Sequence, residues 1–366
     1  MQFIPWAKPK LTKSDIGCVK NTLETNWISG GNEIKNFENK LKKYLNTKYM
    51  CVTSNGTSAI HLAFLSINLK INDEIIVPGY GYMAAANIAK LMNLKIKFAD
   101  VDLKTFCIDL NHIKKLITKK TKLIVLTHTY GNVHQVKQIC RYAKNKKILI
   151  LEDCAESLGS KYDNKHSGTF GDIATFSFHA TKSITTGEGG AICTNNNKFF
   201  ENIKLFRSHG VKKKRYLHLV PGHNFRLTNF QSSLGNSQIK RINLIKKRRK
   251  LIYNLYSKYF KDQNLNFQFF SKRVDANFWT FSILLNEKFS KIKRDRLILK
   301  LKKLGIETRN GFYCSNELKY FDKHKLLKNS QFLSNRVINL PLFEELKKKE
   351  IKYIVDNFIK LYSELR

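Results

Sequence analysis

No apolar run in these 366 residues is long enough to span a bilayer. The opening residues, MQFIPWAKPK, lack the apolar stretch of a secretory signal. The two absences together predict a cytoplasmic protein without membrane insertion. Cysteine is sparse as well. The seven cysteines are scattered and form no C-x-x-C pair, which excludes a disulfide framework and a cysteine zinc site and suits reduced thiols. No metal site is expected.

Acidic side chains are scarce too, 28 against 66 lysines and arginines, for a formal charge of +38. Such an excess suits a polyanion partner. The lysines, however, are spread over the whole chain among many isoleucines and asparagines. That distribution reads as a compositional bias and not as a placed patch, so no specific nucleic-acid function is expected. A nucleoside-diphosphate substrate would still benefit from the positive field.

What is present is a regular alternation of short apolar strands and amphipathic helices. Helices are predicted over 12–24, 32–45, 54–65, 109–117, 134–145 and 198–207, with strands over 49–53, 74–78, 95–100, 122–128 and 147–151. This order argues an α/β fold with a mostly parallel sheet flanked by helices. A long helix from Thr228 to about Phe260 would lead into a smaller α+β part, with strands over 277–285 and 306–309 and helices over 291–304 and 347–361. The expected division is 1–240 and 241–366, lengths that permit two cores.

One stretch organises the rest: residues 170–191, FGDIATFSFHATKSITTGEGGA. A strand from Ile173 to Phe178 feeds a tight loop with a single lysine, Lys182, followed by Thr185-Thr186-Gly187-Glu188-Gly189-Gly190 and another apolar run. Such a loop holds an amine rigidly at a sheet end. A lysine desolvated there acquires a depressed pKa and can form a Schiff base with a carbonyl. Upstream, Glu152 and Asp153 close the 147–151 strand, where α/β sheets bind ligands. Ser54-Asn55-Gly56-Thr57-Ser58 opens a helix, as either an ordinary cap or an anion site.

The run F-S-F-H-x-T-K-x-x-T-x-G-E-G-G resembles the Schiff-base segment of the DegT/DnrJ/EryC1/StrS nucleotide-sugar aminotransferases, pyridoxal-phosphate (PLP) enzymes of fold type I. The likeness extends from about Ile4 to about Tyr362 and favours the branch that makes GDP-perosamine. It implies that Lys182 bears the cofactor and that Asp153 pairs with its pyridine nitrogen. Gly56, Thr57, Ser58 and Ser177 would hold the phosphate, and Glu156 would lie by the ring and its phenolic oxygen. Tyr82 would stack on the ring, although as a bare residue it could equally be a core aromatic. Gly81 stands where the family usually has threonine.

The segment Gly222–Asn229 resembles a family motif whose asparagine, here Asn224, reaches the partner's cofactor, so a homodimer with shared sites is implied. Trp27 and Ser29, in a loop near the family's sugar, are substrate candidates; the bland alternative is a turn with a buried tryptophan. His179, either proton carrier or packed residue, and Arg309 are further substrate candidates. His128 reads as structural. The basic loop 211–221 reads as a solvated face or as a reach toward nucleotide phosphates. The family's proline and histidine after Arg309 are missing.

The resemblance implies transfer of an amino group from L-glutamate, through pyridoxamine phosphate, to C4 of a nucleotide-linked 4-keto-6-deoxy sugar for surface polysaccharide. A UDP- or dTDP-linked sugar or a cyclitol is the alternative substrate, and a non-catalytic regulator the alternative class. Lysine at 182 argues against the family's sugar 3-dehydrases, which have histidine there.

Overall fold

The computed structural model describes residues 3–214 and 216–365. Arg215, within the basic loop 211–221, and the terminal residues Met1, Gln2 and Arg366 lie outside the described residues. In chain order the structure begins with helices α1 (Lys13–Glu24) and α2 (Asn32–Leu45), strand β1 (Tyr49–Thr53), helix α3 (Gly56–Ser66) and strand β2 (Glu74–Pro78). Next come α4 (Ala84–Leu91), β3 (Lys95–Ala99), α5 (Leu110–Leu116), β4 (Thr121–Thr127), α6 (Val136–Asn145) and β5 (Leu149–Asp153). Short strands β6 (Lys161–Tyr162) and β7 (Lys165–His166) precede β8 (Ile173–Ser177), β9 (Gly190–Thr194) and α7 (Asn197–Arg207). The rest comprises α8 (Asn229–Gln238), α9 (Ile242–Tyr259), β10 (Asn266–Phe267), β11 (Val274–Asp275), β12 (Phe281–Leu284), α10 (Lys291–Lys303), β13 (Arg309–Asn310), α11 (Lys328–Arg336), β14 (Val337–Leu340) and α12 (Lys348–Leu365).

The main sheet has seven strands in the order β1-β9-β8-β5-β4-β2-β3. Only β9 runs against its neighbours; the pairs β8–β5, β5–β4, β4–β2 and β2–β3 are parallel. Alternation along each strand sends residues to opposite faces. Ile75 and Val77 pack with α3 and α4 through Ala59, Leu62 and Ala85. Ile76, Ile124 and Ile150 pack with α6 through Val136 and Ile139. Helices therefore cover both faces, which is why the strands read as near-continuous apolar runs.

A second sheet, β10-β12-β14-β13, is antiparallel and packs against α9, α10 and α12 around Tyr256, Phe281, Leu297 and Phe358. Residues near the N-terminus join it: Ile4 bridges Ile306 in parallel, and Trp6 O accepts from Leu342 N–H.

Several expectations are corrected. The helix foreseen from Thr228 to Phe260 is interrupted by a 3-10 turn at Ile239–Arg241, where Arg241 leaves helical angles (φ −111°, ψ 13°) and its guanidinium ties to Asp15 and Glu344. The strand foreseen over 306–309 is only Arg309–Asn310, because Ile306 pairs with Ile4 instead. Strand β5 runs on to Asp153, so Glu152 and Asp153 belong to the strand and are both buried. The sequence reading missed α11, β14 and the small β11-β6-β7 sheet. All seven cysteines are unpaired. Among the described residues no helix is long and apolar enough to cross a membrane.

Gly190, opposite Thr53 in the β1–β9 ladder, lets the chain before α3 approach closely. A Cβ there would lie 2.5 Å from both the carbonyl carbon and the oxygen of Asn55. Both neighbours are backbone and cannot turn aside, so Gly190→Ala should cost about 2–3 kcal/mol and lower Tm by roughly 5 °C. Gly30→Ala, where an added Cβ meets open space, should leave Tm within about 1 °C in the same thermal melts.

Candidate active site

One cavity of about 760 Å³ opens at the carboxyl ends of the parallel strands, the place where open α/β sheets bind ligands. Strand adjacency assembles it. Because β5 lies between β4 and β8, the ends Thr127, Asp153 and Thr175 stand side by side, in register 127↔153↔175. The β8 strand then leads through Ser177 into the loop carrying Lys182. Helix α3 enters from beyond β9, bringing Gly56–Ser58 to the same wall.

Lys182 is drawn out of water, its side chain 14% exposed. Its Nζ lies 3.9 Å from Glu156 Oε1 and 3.9 Å from the centroid of the Trp279 ring. Burial lowers its pKa; Glu156 and Asp153 pull the other way, and Arg249 adds to the lowering. Burial raises the pKa of Asp153, against the Ala155 N–H at 3.1 Å and the charges of Lys182 and His128. Burial lifts Glu156 to about 7, against Lys182 and the Tyr130 N–H at 2.8 Å. A buried amine beside two carboxylates that burial makes reluctant to ionise is a pattern found at functional sites.

At the far wall, Asn55 Oδ1 accepts the Ser58 N–H at 2.8 Å, and the N–H groups of Gly56 and Thr57 stand at the open start of α3. A helix start with hydroxyls beside it suits a phosphate. Ser177 adjoins it, its Cβ only 3.1 Å from where a Cβ on Gly56 would be. Thr175 Oγ1 is buried in the cavity wall without a partner among the described residues. An anion cradle at one end, an amine at the other, carboxylates between and an orphaned hydroxyl on the floor fit a phosphorylated pyridine aldehyde. The residues that could hold one are therefore present.

Of the residues singled out from the sequence, Gly56, Thr57, Ser58, Tyr82, Asp153, Glu156, Ser177, His179, Lys182 and Arg309 all line this cavity. Tyr82 is 67% exposed at the rim, which overturns the core-aromatic alternative. Gly81 has φ +153°, where a threonine would be strained. His179 is exposed, its Nδ1 3.0 Å from Thr181 Oγ1, so the packed-histidine alternative fails. His128 is buried against Glu152 at 2.8 Å, and Glu152 also accepts N–H bonds from Gly168, Phe170 and Gly171; both are structural.

Trp27, Ser29 and Asn224 do not line this chain's cavity, and all three are exposed. The turn with a buried tryptophan is thereby corrected: Trp27 offers its carbonyl to Asn229 while its ring faces solvent. Sequence reading missed Trp6, Tyr130, Trp279 and Phe312, aromatics that close the cavity. Only their residue type hinted at them; their placement depends on chain-wide packing.

Glu156 gives a pH signature. A carboxyl held above its usual pKa keeps its proton longer when folded, so stability falls as pH rises from about 4.5 to 7 and stays reduced above. Glu156→Gln keeps an acceptor for Tyr130 and removes that slope. Urea unfolding of cofactor-free protein should show the variant gaining roughly 2 kcal/mol on wild type between pH 5 and pH 8. An unchanged gap would mean that Glu156 ionises as freely when folded as when unfolded.

The model of the DegT/DnrJ/EryC1/StrS aminotransferase family matches residues 9–359. The GDP-perosamine synthase of Escherichia coli O157:H7 is 36% identical over 371 residues, covering all of both chains. That of Vibrio cholerae is 31% identical, over 98% of this chain and 99% of its own. Among solved structures, Helicobacter pylori PseC, an aminotransferase involved in the biosynthesis of pseudoaminic acid, superposes with TM-score 0.92 at 29% identity, over 99% of this chain and all of its own. Spr1654 of Streptococcus pneumoniae in its PMP form gives 0.92 at 26%, with the same coverage. Since the family match takes in every strand of both main sheets, this chain belongs to the DegT/DnrJ/EryC1/StrS aminotransferase family and is a PLP-dependent aminotransferase.

Proposed function

We propose that the chain moves an amino group from L-glutamate to C4 of GDP-4-keto-6-deoxymannose, as a step toward surface polysaccharide. The observation that carries this reading is the 36% identity, end to end, with a GDP-perosamine synthase. The positive charge of the chain favours a nucleoside-diphosphate substrate. We read residues 1–240 as the cofactor-binding part and 241–366 as the smaller part that closes the cavity.

PLP, when bound, supplies a carbonyl that carries the amino group and a ring that takes up electrons. Lys182 would anchor that carbonyl, and its Nζ is the group of this chain that would take up a proton and give it back. Asp153, kept from water, would pair with the pyridine nitrogen and keep it protonated. Gly56, Thr57 and Ser58, with Ser177, bind the phosphate at the start of α3. Glu156 would stand by the phenolic oxygen, and Tyr82, at the rim, would cover the ring. Arg309, at the mouth with its guanidinium on the Trp6 ring, offers a fixed charge to an anionic substrate, and His179 borders the same opening. Asn224 lies outside this chain's cavity, which suits a homodimer in which it serves the partner's site; Trp27 and Ser29 would meet the substrate in the same way.

The test is incubation of PLP-loaded protein with L-glutamate and the GDP-linked keto sugar, followed by product mass. An amine in place of the keto oxygen is expected. Conversion of the cofactor to pyridoxamine phosphate without sugar product would keep the aminotransferase and reject this sugar, leaving UDP- or dTDP-linked sugars and cyclitols. Lys182→Ala should abolish turnover, and Asp153→Asn should lower it by about 100-fold or more; an active Lys182→Ala variant would refute the assignment.

A further inference from the structure

Trp279 has no part in the chemistry proposed so far, yet its ring faces the amine of Lys182, 3.9 Å from Nζ to centroid. The ring is held on several sides. Its Nε1–H donates to the carbonyl of Thr181, the residue next to Lys182, at 2.9 Å. Trp6 meets it edge-on, centroids 5.1 Å apart at 89°, and Tyr130 stacks at 5.9 Å and 30°. Behind it the buried Arg249 of α9 donates from Nη1 to the carbonyls of Phe278 (3.1 Å) and Trp279 (3.2 Å). Neither the ring nor the backbone that carries it is free to turn.

An indole face attracts an ammonium and gives far less to a neutral amine. The charged groups facing Lys182 are Glu156 and Asp153, which favour its charged form, and Arg249, which opposes it. In the proposed reaction both carboxylates would be engaged by the cofactor, Asp153 at the ring nitrogen and Glu156 at the phenolic oxygen. An amine that takes up a proton and gives it back needs a place for its charged form that leaves those carboxylates to the ring. We propose that the face of Trp279 is that place: a positioning residue that receives the Lys182 ammonium whenever the amine is released. The inference rests on Lys182 being the lysine that exchanges with the donor amine.

Replacing Trp279 site-specifically by 5-fluorotryptophan and by 5,7-difluorotryptophan preserves shape and the N–H while draining the ring's negative face. In cofactor-free protein, reductive methylation at Lys182, read by peptide mass spectrometry across pH, gives the midpoint at which the amine becomes neutral. Removing a stabiliser of the charged form lowers that midpoint. It should fall stepwise along the series, by about 0.5 pH unit in all, while the midpoints of exposed lysines such as Lys13 hold. In the loaded enzyme the pH profile of kcat should move in the same direction. A Lys182 midpoint that ignores fluorination, or rises with it, overturns the role of Trp279 alone. Turnover by Lys182→Ala would instead overturn the lysine assignment beneath it.

Discussion

Taking the amine of Lys182 out of water is the constraint around which the molecule is arranged. A desolvated ammonium costs several kcal/mol unless opposite charge or a polarised partner faces it. Here Glu156, Asp153 and the ring of Trp279 together face that charge. The two carboxylates come from the end of β5 and the turn after it, and the indole from the approach to β12. Only the strand order β9-β8-β5-β4, with the second sheet's residues brought over its carboxyl ends, sets them around one amine. Burial cuts both ways. It makes the amine less willing to carry a proton and the carboxylates less willing to lose one.

The other end of the cavity solves a different problem. An anion there needs donors without a competing side chain, and the start of α3 provides them. The close approach of Gly190 to Asn55 fixes where that start lies relative to β9. The helix start and the lysine loop are thus tied to the same strand pair: Ser177 and Gly190 face each other in the β8–β9 ladder.

The residues at the inner wall of the cavity are legible in the sequence and its enclosure is obscure. Lys182, Asp153 and Gly56–Ser58 sit at strand ends and a helix start, positions that local periodicity and glycine placement reveal. Trp6 reaches the cavity only because Ile4 bridges Ile306, across three hundred residues of chain, and Trp279 only because Arg249 pins its backbone. No local pattern encodes either contact. Strands of two residues such as β6, β7 and β11 carry too few side chains to show alternation. The interruption at Ile239–Arg241 was hidden because its residues keep helical spacing, while Arg241 is turned by partners near the N-terminus and at Glu344. Trp27, Ser29 and Asn224 show the converse: a motif names a residue without placing it at this cavity.

Identifying the lysine that bears the cofactor is the decisive measurement. PLP-loaded protein reduced with borohydride, digested and mapped by mass spectrometry should carry a phosphopyridoxyl group on Lys182, near one per chain, and Glu156→Gln should leave that position unchanged. A stoichiometric adduct on another lysine, or none while Lys182 remains unmodified, would contradict the claim that the cavity is built around this amine.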